Sequence, residues 1–111
     1  MDKPYYLNLS LTNELEIPDK GSLSRTLLNN EHTKILLFAF ASGDGLTAHS
    51  APFPATIQIL KGEATLTLDT ESFDVSAGSL VHISPQLLHA VAAKSPVQML
   101  LTLYKAARAS K

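Results

Sequence analysis

Several short stretches of the chain alternate apolar and polar residues with a period of two, and turn-forming residues interrupt them at short intervals. This constrains the fold most, because a period of two belongs to a strand with one buried face and not to a helix. Thr65, Thr67 and Asp69 alternate with Ala64, Leu66 and Leu68. Val97, Met99, Leu101 and Leu103 alternate with Gln98, Leu100, Thr102 and Tyr104. Both stretches are predicted strands. Residues 34–41 are apolar on both faces, which predicts a central strand or one whose outer face meets another subunit. Residues 56–60 and 80–83 are also strand-like, with shorter candidates at 5–9, 25–28, 73–75 and 90–92. Turn signals separate them, among them Pro18-Asp19-Lys20-Gly21, Ser42-Gly43-Asp44-Gly45, Lys61-Gly62, Ala77-Gly78 and Ser84-Pro85. Strands recurring about every eight to twelve residues predict an all-β sandwich or barrel.

A chain of 111 residues holds one hydrophobic core, and no linker, low-complexity stretch or repeat divides it. The expected organisation is one domain over residues 1–111, with its core at about 24–104 and a frayed or short helical tail at 105–111. Hydrophobic residues are 45% and charged residues 17%, a composition that buries a core and excludes global disorder. A net charge of −1 gives no reason to expect nucleic acid or an anionic membrane as partner. No apolar run approaches the roughly 20 residues of a membrane helix. Met1-Asp2-Lys3-Pro4 opens no secretory signal, so the expected compartment is the cytoplasm. The chain has no cysteine, which excludes disulfides, iron–sulfur clusters and thiol nucleophiles.

Chemistry therefore falls to histidines. His32 lies in a polar loop, Asn29-Asn30-Glu31-His32-Thr33, and reads as solvated. His82 reads as a partly buried polar residue near a subunit contact. His49 and His89 each sit where a loop meets a strand, at the rim of the β-structure, where binding groups concentrate. No dinucleotide fingerprint, Walker loop or nucleophile elbow occurs. Ser50, adjacent to His49 on an extended chain, points to the opposite face. Asp69 and Glu71 lie at a hairpin tip and read as solvated. No catalytic residue is assigned.

Two segments resemble the paired motifs of the cupin superfamily. Gly45-Leu46-Thr47-Ala48-His49-Ser50-Ala51-Pro52, followed by a strand closing at Gly62, resembles the first. Gly78-Ser79-Leu80-Val81-His82-Ile83-Ser84-Pro85-Gln86-Leu87-Leu88-His89 resembles the second. Residues from about 24 to 104 are similar to short bacterial single-domain cupins in which the first histidine precedes Ser/Thr-Ala-Pro. The resemblance implies a double-stranded β-helix, or jelly-roll barrel, with His49 and His89 facing each other across its mouth. Alternation then turns Ile57, Ile59, Leu101 and Leu103 inward. The expected pocket residues are Phe53, Ile57, Gln58, Ile59, Met99 and Leu101, with Gln58 inward only if a bulge near Pro52 and Pro54 resets the alternation.

The family's full metal site has four ligands. The second histidine position is Ala51 here and the glutamate position is Ala55, which leaves His49 and His89 as candidate metal ligands. Three readings of that pair stand side by side. It is a weak site for one divalent transition metal (zinc, nickel, manganese or iron) completed by water, a metal-free pocket for a small molecule, or a structural pair. The corresponding functions are a metal-dependent oxygenase or isomerase, a small-molecule-binding protein, and a structural dimer with a vestigial site. The doubly apolar strand at 34–41 predicts a homodimer, because a small barrel buries only one face of it.

Overall fold

The computed structural model describes residues 3–105. Nine strands form two antiparallel sheets. They are β1 (Ser22–Asn29), β2 (Thr33–Phe40), β3 (Gly45–His49), β4 (Ala55–Lys61), β5 (Glu63–Leu68), β6 (Glu71–Ser76), β7 (Leu80–Ile83), β8 (His89–Ala93) and β9 (Val97–Tyr104). One sheet has the order β1-β2-β9-β4-β7 and the other β3-β8-β5-β6. This is the expected all-β jelly roll. Among the described residues no helix is long and apolar enough to cross a membrane.

The core fills the space between the sheets. Phe40, Ile57, Ile59 and Met99 from the larger sheet meet Leu66, Val91 and Ala93 from the smaller one. Burying each large apolar side chain contributes about 1.5–3 kcal/mol before entropy is counted. Close approach of β3 to β8 requires a glycine at 45, because a Cβ there would collide with the Val91 carbonyl. Gly62, at φ +90°, turns β4 into β5 in a conformation that other residues resist.

The structure corrects three sequence expectations. Residues 5–9 form no strand, because nothing among the described residues pairs with them. Residues 45–49 do form one, although Gly43 and Gly45 mark the stretch as a loop. The third correction concerns β2. Its inner face carries Phe38 and Phe40, whose rings stack 5.6 Å apart. Its outer face was expected to be an exposed apolar patch, yet Leu37 and Ala39 are fully buried. The chain's own N-terminal segment lies over that face. Gln98, paired with Ala39 and so on the same side, donates to the carbonyls of Thr12 and Leu15 at 3.0 and 2.7 Å. Arg25, paired with Leu37, donates to the Glu14 carbonyl and carboxylate, both at 2.8 Å. The expected tail lies, beyond Lys105, outside the described residues.

Candidate functional site

A β-bulge creates the site. Leu46 pairs with Val91 and His49 with His89, so Thr47 and Ala48 together oppose Ala90. Leu46 packs on the core. Uninterrupted alternation from Leu46 would turn His49 outward. The extra residue resets the count and brings His49 to the inner face. Directly paired residues share a face, and the two imidazoles lie 4.3 Å apart, centroid to centroid, tilted by 54°.

Each ring is fixed in the same way. Nδ1 of His49 bonds the Thr47 carbonyl at 2.8 Å, and Nδ1 of His89 bonds the Leu87 carbonyl at 2.9 Å. A carbonyl oxygen only accepts, so each Nδ1 carries the hydrogen. In the neutral rings both Nε2 atoms are then bare acceptors. Their surroundings differ. His49 is exposed at the rim as expected, whereas His89 is only 6% exposed and belongs to the wall rather than the rim.

Both rings line a cavity of about 200 Å³. Phe53, Leu101 and Leu103 line it, as do Ile83 and Leu87. Ala51 and Ala55 are in the same wall, beside the histidines. Ser84 is the one other side chain in the lining with a polar atom. The loop after β7 is tied to the loop after β3 by the backbone N–H of Gln86, which donates to the Ala51 carbonyl at 2.7 Å. Gln86 has φ +70°, a backbone strain stored where the two lips meet.

Not every expected pocket residue is here. Ile57 and Ile59 face a separate apolar void of about 20 Å³ at the other end of the barrel. Met99 is fully buried in the core. Gln58 is exposed on the outer side of β4, because Pro52 and Pro54 introduce no bulge that would turn it inward. Within the single chain, His82 is exposed on the edge strand β7 and lies away from the chamber. His32 is solvated, 3.6 Å from the Glu31 carboxylate. Sequence reasoning missed Ile83, Ser84 and Leu87, although they flank the Pro85 turn just before His89.

The donor set can be tested against a metal. Resident transition-metal centres take three or more protein ligands. Among the described residues no three histidines, cysteines or carboxylates come together. The lining offers two imidazole nitrogens and no carboxylate, so it does not fit a resident metal centre.

Residues 36–103 match a family described as the cupin domain. A conserved protein of unknown function from Streptococcus pyogenes is 32% identical, with a TM-score of 0.81 over 95% of this chain and 90% of that one. A cupin superfamily protein from Desulfitobacterium hafniense is 27% identical, with a TM-score of 0.83 over 91% of this chain and 93% of that one. A cupin 2 conserved barrel domain protein from Leptotrichia buccalis is 27% identical, with a TM-score of 0.79 over 85% of this chain and 46% of that one. No curated protein matches.

Proposed function

This chain belongs to the cupin domain family, and on that premise we propose that it binds a small molecule with a compact apolar body and a polar head. One observation carries the reading. Two imidazoles with bare Nε2 atoms occupy one corner of a cavity whose remaining wall is almost wholly apolar. Pockets built this way use the apolar wall for affinity and the few polar groups for orientation. Ala51 and Ala55, at the two family ligand positions, leave space where a metal centre would have donors.

A cavity of about 150 Å³ holds a benzene. At about 200 Å³, this one holds one ring with a few substituent atoms. The test is ligand-observed NMR with toluene on chelator-treated protein. Binding at one site, lost when Ala55→Phe fills the chamber, is the expected result. Wild-type protein that takes up no such probe overturns the reading.

A second reading is supported by the two Nδ1–carbonyl bonds, because metal-ligating histidines are oriented by that kind of outer contact. In it, a labile divalent cation sits on the two Nε2 atoms, water or ligand completes its coordination, and chelator strips it readily.

A further inference from the structure

The polar corner of the chamber restricts its ligand further than size does. Both Nδ1 hydrogens are already committed to backbone carbonyls. In the neutral rings the corner therefore presents two acceptors and no imidazole donor. Neither Nε2 has a protein partner among the described residues, and the rings are only 4.3 Å apart. A ligand that displaces water from the buried His89 Nε2 without donating to it leaves an unpaired acceptor, which is costly away from solvent, and a second donor meets His49 at the rim.

We infer that the preferred ligand is a single aromatic ring with two adjacent hydroxyl groups, an ortho-diphenol, each hydroxyl donating to one Nε2. This inference rests on the small-molecule reading above. Other heads match less well. Against the neutral rings a carboxylate brings acceptors to acceptors, with the Ser84 hydroxyl its one side-chain donor in the lining. An ammonium or guanidinium supplies donors, but no carboxylate in the lining balances its charge. A carboxamide supplies two donors yet carries its own carbonyl into a wall where, beside alanine, leucine, isoleucine and phenylalanine, only the Ser84 hydroxyl could donate to it. In the ortho-diphenol two neighbouring oxygens each address a separate ring nitrogen. The aromatic body then lies among Phe53, Ile83, Leu87, Leu101 and Leu103. Eight heavy atoms suit the volume set by the benzene comparison.

The test is calorimetric titration of chelator-treated protein with catechol, 1,2-dimethoxybenzene, benzoate, benzamide and toluene. Dimethoxybenzene keeps the ring and its oxygens but has no hydroxyl donor. Catechol is expected to bind about tenfold or more tighter than each of the others, the size expected for two well-formed hydrogen bonds. His49→Ala, which removes one of the two acceptors, should abolish the advantage of catechol over dimethoxybenzene. Catechol no tighter than dimethoxybenzene or toluene overturns the ligand class while the chamber stands. Benzoate or benzamide as the tightest ligand overturns it in favour of another head group. Catechol binding unchanged in His49→Ala overturns it as well. If no probe binds, toluene included, the small-molecule reading falls with it.

Discussion

His49 and His89 are a matched pair in geometry but not in burial, and replacing them will cost different amounts. His49→Ala removes an exposed ring and should change stability by less than about 0.5 kcal/mol. His89→Ala removes a buried ring, opens a hole and leaves the Leu87 carbonyl without its donor, so about 1–3 kcal/mol should be lost. Urea denaturation of the two variants checks the difference, and equal losses would contradict the placement of His89 in the wall. In the sequence, only motif order and resemblance bring these two residues to one site. The sequence could not reveal their unequal burial, which depends on how far each loop carries its ring. Gln98 shows the same limit. Alternation put it outward, and it is outward, yet the N-terminal segment folds over it and buries it.

At the level of elements, the bulge in β3 makes a specific prediction. Thr47 and Ala48 share one opposing residue, so deleting Ala48 should restore regular pairing and keep His49 opposite His89. In an unbulged strand the same deletion would flip the histidine outward. Retained cross-strand contacts between the imidazole protons in NMR would support the bulge, and their loss would contradict it. The N-terminal segment makes a second prediction. Hydrogen bonds from Arg25 and then Asn8, with the Arg25 charge adding to them, hold the Glu14 carboxyl below the usual carboxylate range. A lowered acid pKa stabilises the folded contact above the unfolded value and loses that contribution as pH falls through the folded value. The protection factors of the amides in residues 10–18, which are exchange rates corrected for the intrinsic pH dependence, should therefore fall on acidification toward and below the ordinary glutamate range. Glu14→Gln should flatten that response, and an unchanged response would sink the account. Most strands were legible because period-two alternation and turn residues are local. Strand β3 was not, because Gly45 serves close packing on β8 rather than a loop.

For the whole molecule, the observation behind the expected dimer has moved. The outer face of β2 is covered, but Tyr5, Leu7 and Leu9 are 63%, 67% and 89% exposed. They alternate as a strand should and, among the described residues, have nothing to pair with. We expect a homodimer formed through this segment, with a light-scattering mass of twice 12.0 kDa, reduced to the monomer value by replacing Tyr5 and Leu7 with serine. A monomeric wild-type protein at micromolar concentration would contradict that. The fold was legible from pattern and motif together, because a jelly roll repeats short local signals. The extent of the pocket was not, since Ile57, Ile59 and Met99 face inward yet sit beyond the chamber.

On the proposed function, Ala51 and Ala55 make this barrel a ligand chamber rather than a metal centre. The most direct measurement is a matched pair of titrations, zinc and toluene, on chelator-treated wild-type protein and on the Ala51→His, Ala55→Glu double variant. The account predicts that the wild type takes up one toluene and releases zinc on dialysis, while the variant retains one zinc and loses toluene. A wild-type protein that keeps one equivalent of zinc through dialysis and takes up no toluene would contradict it.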